Sequence, residues 1–216
     1  MNHWNRFVAA TCYYPTLGFS RLMVLTGIWH AWDWIDEFVA LGGRPTRRTL
    51  RQLANEGVRG VVNFCAEYRG DATTLAALGI EQLHLPTTDY CPLADEDVRR
   101  SIQFIRGWSS RGGRVFLHCK AGQGRSAAAA LCYLMETDRL TATQGVARLR
   151  RVRPHVMRRI EQLDVVRRFE KELRAAGGAV SRGDAGIPPG YTDEFKGTRH
   201  RTATIGAGVH DGDTDR

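Results

Sequence analysis

The stretch from Val115 to Ser126, VFLHCKAGQGRS, places a lone cysteine between an apolar run and a glycine-rich turn that closes on an arginine. The residues before the cysteine, RVFLH (114–118), predict a strand. Those after the arginine, SAAAALCYLMET (126–137), predict a helix. Ligands of sheets flanked by helices bind at the carboxyl ends of strands. The turn is therefore the predicted ligand site.

The chemistry of this turn follows from its residue types. A cysteine thiol has a pKa near 8.5, and a helix N-terminus beside cationic groups lowers it to about 3.5–7.5. Gly122 and Gly124 let successive backbone amides turn inward as an anion nest. The planar fork of Arg125 can hold two phosphate oxygens. We predict that Cys119 is a thiolate facing a phosphate cradle; the alternative is a buried structural cysteine.

HCKAGQGRS resembles the loop of the cysteine-dependent protein tyrosine phosphatase superfamily, HCxxGxxR followed by Ser or Thr. The resemblance implies that Cys119 attacks phosphorus and forms a phosphocysteine. Ser126 would hydrogen-bond the sulfur, or simply begin the helix, and His118 would orient the loop. No metal or other cofactor is implied. The resemblance assigns phosphate binding to Lys120, Ala121, Gly122, Gln123, Gly124 and Arg125.

The leaving alkoxide or phenoxide needs a proton, which in this superfamily comes from an aspartate on a loop before a helix. The segment TTDYCPLADED offers Asp89, Asp95, Glu96 and Asp97. The last three cluster at a predicted helix start, where Asp95 would cap the turn and acids stabilise the dipole. We therefore predict Asp89 as the general acid; an Asx-type turn is its alternative role.

Strands alternate with helices along the chain, which predicts an α/β fold. The resemblance implies a dual-specificity-phosphatase-like form of this fold, with a central, mostly parallel sheet flanked by helices and the phosphate loop between a strand and a helix. Strands are predicted in 37–43, 58–65, 80–86 and 114–118. Helices are predicted over 47–57, 71–78, 126–137 and 160–175, from Asp95 onward, and from Thr141 to Pro154.

Composition divides the chain into a segment 1–32, a phosphatase domain 33–176 and a disordered tail 177–216. The first segment is apolar and basic, and its apolar run is shorter than the roughly 20 residues that span a bilayer. It predicts membrane contact or targeting, or an arm packed on the domain. The tail is Gly-rich and polar.

The net charge of +8 and pI near 9.7 favour acidic partners, although an arginine-rich composition is an alternative cause. Six clustered arginines could contact lipid headgroups or form a solvated helix face: Arg148, Arg150, Arg151, Arg153, Arg158 and Arg159. No nucleic-acid partner is predicted, since the arginines as a whole are dispersed along the sequence and no recognised nucleic-acid-binding module appears. Five scattered cysteines disfavour a disulfide framework or a zinc site.

The order and spacing of several segments resemble the mitochondrial-type phosphatidylglycerophosphate phosphatase family over roughly residues 10–175. That family makes the cardiolipin precursor phosphatidylglycerol. Glu67 and Tyr68 match its acidic element, while Arg69 replaces an acid; we assign the first two a supporting role. The segments are YYPTLGF, WDWIDEFVALGGRPT, GVRGVVNFCAEY, GIEQLHLPTTDY and HCKAGQGRS.

The resemblance predicts a lipid substrate on an anionic membrane surface, and Lys120 could meet a second acidic group of its headgroup. The location would be the cytoplasmic face of a membrane in a bacterium, or the mitochondrial inner membrane in a eukaryote. The alternatives are a dual-specificity protein phosphatase, a phosphoinositide phosphatase and a non-enzymatic phosphate-binding module.

Overall fold

A computed structural model describes the backbone of residues 3–177 and the side chains of residues 14–177. The tail predicted from the composition lies outside the described residues from position 178 onward. The helices are α1 (His3–Leu25), α2 (Arg47–Asn55), α3 (Ala72–Ala77), α4 (Asp95–Ser109), α5 (Arg125–Thr137), α6 (Ala142–Val152) and α7 (Asp164–Ala175), with a 3-10 turn at Ile160–Gln162. The strands are β1 (Trp32–Trp34), β2 (Val39–Gly42), β3 (Val58–Cys65), β4 (Glu81–Thr87) and β5 (Arg114–His118).

The five strands form one sheet in the order β1-β2-β5-β3-β4. Only β1 pairs antiparallel with its neighbour, so the mostly parallel sheet is confirmed. Strand β5 is central, and its last residue, His118, lies opposite Gly42 of β2 and Asn63 of β3. Because the three strands run in the same direction, the turn after His118 opens at the carboxyl edge in the middle of the sheet.

Both faces of the sheet are covered, which explains the continuous apolar character of its central strands. Val115 and Leu117 pack into the larger core beneath α4, α5, α6 and α7. Phe116 points the opposite way and packs with Leu50 and Leu53 of α2. The alternation follows from the two-residue period of a strand. The loop after β5 therefore starts from a strand held on both sides.

Helix α5 approaches its neighbours closely because its first turns are built from small residues. Residues 127–130 are alanines with no exposed surface. On the adjoining helix α6, a Cβ added to Gly145 would lie 2.5 Å from Leu131 Cδ1. The start of α5, which carries Arg125, is thus held by close packing of its first turns.

The structure differs from the predicted elements at four places. Helix α1, which contains Pro15, and the short strand β1 were not predicted. Asp95 is the first residue of α4 rather than its cap: Ala94 holds that position without a side-chain bond. The last predicted helix is divided at Leu163, whose extended backbone (ψ 137°) separates the 3-10 turn from α7. No helix within the described residues is long and apolar enough to cross a membrane.

Candidate active site

Cys119 and Arg125 bound a tight loop between the end of β5 and the start of α5. Cys119 is 3% exposed, and Arg125 is buried beside it. Gly122 adopts the left-handed conformation (φ +70°) that L side chains rarely take. The loop therefore curls back on itself and brings its backbone amides around the thiol.

The thiol of Cys119 lies in surroundings that favour its ionised form. Burial is the largest influence and by itself favours the neutral thiol. The charge of Arg125, the Ser126 hydroxyl and the backbone amides of Ser126 and Gly122 together outweigh it and lower the pKa of Cys119. The Ser126 hydroxyl donates to the sulfur at 3.3 Å. The predicted thiolate thus has named structural causes.

The guanidinium of Arg125 is anchored through one nitrogen. Its Nη1 donates to the Thr87 carbonyl at 2.5 Å and to Glu67 Oε2 at 3.0 Å. Its Nε and Nη2 make no hydrogen bond within the part of the chain that the structure describes. Nη2 does lie 3.1 Å from Asp89 Oδ1, an ion pair outside hydrogen-bond geometry. Two donors on one edge of the fork are therefore available to a bidentate anion.

Asp89 lies directly above this loop, although it is 30 residues away in sequence. Its carboxylate forms one ion pair with Lys120 Nζ and another with Arg125. Its backbone amide donates to Glu67 Oε1 at 2.8 Å. Glu67 thus contacts both Arg125 and Asp89, which places this predicted supporting residue at the centre of the site.

Two of the other carboxylates considered for proton donation, Asp95 and Asp97, are engaged elsewhere. Asp95 holds a bidentate contact with Arg168 of α7, at 2.8 Å from each of two nitrogens. Asp97 lies 3.7 Å from Arg100 on its own helix. Asp89 is therefore the candidate that the fold brings to the cysteine.

Residues 39–172, which include the loop from Cys119 to Arg125, match the family model described as the dual specificity phosphatase, catalytic domain. The chain belongs to the dual-specificity phosphatase family. It is a cysteine-based phosphatase, as predicted.

Two curated relatives resemble this phosphatase along most of their length. A human protein named phosphatidylglycerophosphatase and protein-tyrosine phosphatase 1 is 34% identical over 179 residues, covering 78% of this chain and 89% of the relative. An Arabidopsis thaliana protein named phosphatidylglycerophosphate phosphatase PTPMT2 is 32% identical over 163 residues, covering 74% and 72%. The resemblance predicted from the sequence is confirmed.

Solved structures confirm the fold of the phosphatase. A crystal structure titled PTPMT1 in complex with PI(5)P superposes with a TM-score of 0.63 at 30% identity, covering 68% of this chain and 99% of that one. A crystal structure of Tk-PTP in the active form gives a TM-score of 0.60 at 27% identity, covering 66% and 98%.

His118 of the phosphatase is buried and neutral. Burial lowers the pKa of its imidazole to about 3, and Nδ1 lies 3.3 Å from the Cys119 carbonyl oxygen. The ring stacks on Phe116, with centroids 5.6 Å apart. Tyr68 lies further out, with its ring under the Arg44 guanidinium at 3.9 Å. The supporting roles of His118 and Tyr68 stay predictions.

Arg153 of the phosphatase is the component that sequence reasoning misassigned. Predicted among six arginines at a headgroup-binding or solvated surface, it is instead 2% exposed. It donates to the Gly122 carbonyl at 3.0 Å, the Ala121 carbonyl at 3.1 Å and Asp33 Oδ2 at 2.6 Å. Because Arg153 holds the carbonyls of Ala121 and Gly122 on one side of the loop, the backbone amides of the loop face the other side. The one local signal was its position directly before Pro154, where the helix ends.

The remaining loop residues have distinct surroundings. The Gln123 carbonyl accepts from the Met157 amide at 3.0 Å. A Cβ at Gly122 would lie 2.4 Å from the Gly42 carbonyl carbon. Gly124 differs from the prediction, because its φ is −112° and a Cβ there would meet only Met157 Sδ, at 4.0 Å. Gly122 is thus the glycine that the loop conformation requires.

Proposed function

We propose that this phosphatase converts phosphatidylglycerophosphate to phosphatidylglycerol on an anionic membrane surface. The observation that supports this substrate is the similarity to relatives named for it, which extends over 89% of the human protein and 72% of the Arabidopsis protein. The substrate carries a terminal phosphomonoester, whose negative charge matches the positive charge of Arg125 and Lys120 around Cys119. The membrane would be the cytoplasmic face in a bacterium or the mitochondrial inner membrane in a eukaryote.

In the first step the Cys119 thiolate attacks phosphorus, and the bond from phosphorus to the glycerol oxygen breaks. Asp89, protonated for this step, gives its proton to the leaving alkoxide. In the second step a water attacks the phosphocysteine and returns its proton to Asp89. The sulfur–phosphorus bond breaks, and the Ser126 hydroxyl stabilises the departing thiolate. Inorganic phosphate and the intact thiolate remain.

Binding of the phosphate also changes the contacts of Asp89. In the structure the Asp89 carboxylate pairs with Arg125 and Lys120. A dianionic phosphate bonded to Nε and Nη2 of Arg125 replaces the carboxylate at that guanidinium. The equatorial oxygens then face the loop amides and Arg125 in the transition state.

Membrane contact is supported by exposed apolar side chains close to the loop. Tyr90, next to Asp89, is 64% exposed, and Met157, whose amide contacts the loop at Gln123, is 38% exposed. On α1, Tyr14, Phe19 and Leu22 are each more than half exposed. Such side chains insert into the interfacial region of a bilayer.

A phosphoinositide is the second candidate substrate, favoured by the related crystal structure titled as a complex with PI(5)P. The test measures phosphate release from three substrates: phosphatidylglycerophosphate in mixed micelles, phosphoinositides in mixed micelles, and a soluble phosphotyrosine peptide. The Cys119→Ser variant is the blank. Preference for phosphatidylglycerophosphate that disappears in Cys119→Ser supports the proposal. Preference for the inositol lipid or the peptide overturns the substrate and keeps the chemistry.

A further inference from the structure

We infer that Tyr90 is a positioning residue of the active site, an inference that rests on Asp89 as the proton donor of the proposed function. Two observations carry it. The backbone of Tyr90 has a φ of +61°. Its ring centroid lies 5.4 Å from the Lys120 ammonium. The backbone conformation directs Asp89 toward the phosphate loop, and the ring holds Lys120 beside that carboxylate.

Asp89 and Tyr90 are the two central residues of a tight turn that follows β4. The Cys91 amide donates to the Thr88 carbonyl at 3.1 Å, which is the hydrogen bond that closes a β-turn. A positive φ at the third position of a turn is normally supplied by glycine or asparagine. Within residues 3–177, positive φ outside glycine occurs at Tyr90 and at two arginines. A bulky aromatic residue in this conformation is strained, and such strain clusters at functional sites.

The chain is fixed on both sides of Tyr90. The Asp89 amide donates to Glu67 Oε1 at 2.8 Å. Three residues after Tyr90, Leu93 is buried in the larger core. Because both flanks are held, a change of φ at Tyr90 has to be absorbed by its neighbours in the turn, and Asp89 is one of them. The direction of the Asp89 carboxylate therefore depends on the left-handed conformation of Tyr90.

The side chain of Tyr90 does not occupy this position for the sake of core packing. It is 64% exposed, so burial does not explain why a tyrosine stands where a glycine would avoid the strain. Its ring instead contacts the ammonium of Lys120, a side chain that is only 7% exposed and pairs with Asp89. An ammonium within about 6 Å of a ring centroid is attracted by the ring. Lys120 is therefore held by the Asp89 carboxylate and by the Tyr90 ring together.

The two contributions of Tyr90 act on different kinetic constants. Misplacing Asp89 impairs protonation of the leaving group, which lowers kcat for an alkyl substrate more than for an aryl substrate whose leaving group is a stable anion. Releasing Lys120 weakens phosphate binding, which raises KM. A loss of folded protein would lower the rates on all substrates equally, so the two effects are distinguishable from a merely structural role.

The backbone contribution is tested with Tyr90→Val and Tyr90→Asn. Both changes remove the ring, so any membrane contact of the ring is lost equally. Asparagine tolerates the left-handed conformation, whereas β-branched valine opposes it. The kcat of each variant is measured on phosphatidylglycerophosphate in mixed micelles and on p-nitrophenyl phosphate. We expect the ratio of the lipid to the aryl kcat to be about 10- to 100-fold lower in Tyr90→Val than in Tyr90→Asn.

The matched control is Arg139→Val. Arg139 also has a positive φ, of +54°, but it lies between α5 and α6, at the end of α5 opposite to Arg125. The same substitution at this position should leave the ratio of the lipid to the aryl kcat unchanged. Thermal unfolding of the three variants identifies the temperature at which all are folded, and the kinetics are measured there.

The ring contribution is tested with soluble p-nitrophenyl phosphate, so that membrane binding does not enter. Tyr90→Asn should raise KM about two- to fivefold, whereas Tyr90→Phe, which keeps an aromatic ring, should retain the wild-type value. In a Lys120→Met background the change of Tyr90 to asparagine should have no further effect on KM, because the ring acts through the ammonium.

Equal ratios of the lipid to the aryl kcat in Tyr90→Val and Tyr90→Asn overturn the role of the backbone and leave the proposed function intact. Equal KM values in Tyr90→Asn and Tyr90→Phe overturn the role of the ring, as does a rise in KM that persists in the Lys120→Met background. Absence of Cys119-dependent turnover of the lipid by the wild type overturns the proposed function, and this inference with it.

Discussion

Arg153 Nη1 donates to Asp33 Oδ2 at 2.6 Å in the interior of the protein, beneath the phosphate loop. The side chain of Arg153 is 2% exposed and that of Asp33 is 9% exposed. The same guanidinium holds the carbonyls of Ala121 and Gly122. The edge strand β1, which carries Asp33, is thereby tied to the curvature of the loop that surrounds Cys119. This relationship gives an edge residue of the sheet a role in loop geometry.

We expect Arg153→Ala to destabilise the protein and to disorder the loop. It leaves Asp33 and two loop carbonyls without their donor, and breaking a buried pair costs about 3–5 kcal/mol. The free energy of unfolding should fall by that amount, and kcat should fall with it. Arg151→Ala removes an exposed neighbour and should change stability by less than about 0.5 kcal/mol. Equal behaviour of the two variants would contradict the role of Arg153.

Asp33→Asn gives a milder test of the same pair. The amide keeps the shape and one acceptor oxygen but removes the charge. We expect stability between those of wild type and Arg153→Ala, with a rise in KM for phosphomonoesters as the loop loosens. Denaturant unfolding and steady-state kinetics on one preparation measure both effects.

The pH dependence of the nucleophile should follow its surroundings. Because the pKa of Cys119 is lowered, its thiolate persists to lower pH than that of an ordinary thiol near 8.5. The alkylation rate with iodoacetamide should therefore reach its midpoint below that value. Ser126→Ala removes a donor to the sulfur and should move the midpoint upward, as should Arg125→Ala, which removes a positive charge. Loss of alkylation in Cys119→Ser identifies Cys119 as the reacting thiol. An unchanged midpoint in both variants would refute the attribution of the lowered Cys119 pKa to Ser126 and Arg125.

Asp89→Asn should show leaving-group dependence. For a lipid alkoxide, which needs a proton to depart, we expect kcat to fall roughly 100- to 10,000-fold. For p-nitrophenyl phosphate, whose leaving group is stable as an anion, the loss should be much smaller. Asp95→Asn is the matched control and should leave both rates within about threefold, since Asp95 contacts Arg168 on the surface. Equal losses on both substrates would argue against proton donation by Asp89.

The two glycines of the loop should respond differently to alanine. At Gly122 the φ of +70° and the 2.4 Å approach to Gly42 force the backbone to move, so activity should be lost. At Gly124 the added methyl meets nothing closer than 4.0 Å, and most activity should remain. Phosphate release and thermal unfolding of both variants test this contrast. A more severe effect at Gly124 than at Gly122 would be inconsistent with the loop conformation.

Much of the fold and the centre of the site could be predicted from local patterns. Strands β3 and β5 have the predicted bounds, 58–65 and 114–118, because buried parallel strands are continuous apolar runs. Helix α5 begins one residue before its prediction, and the cysteine-to-arginine loop lies between strand and helix as expected. The sequence also favours Asp89 as the acid, because Asp95, Glu96 and Asp97 lie in the first turn of a helix, where they stabilise its dipole.

By itself, then, the sequence determined the strand–loop–helix unit, the nucleophile candidate and the anion-binding arginine, since their chemistry depends on residues adjacent in the chain. Only the tertiary structure decided the partners that are distant in sequence. Glu67 contacts Arg125 across 58 residues, and Arg153 contacts Asp33 across 120. A run of arginines predicts a solvated helix face. Only the packing of the folded chain reveals that Arg153, one member of the run, is buried. Long-range ion pairs depend on the path of the whole chain, which no local period encodes.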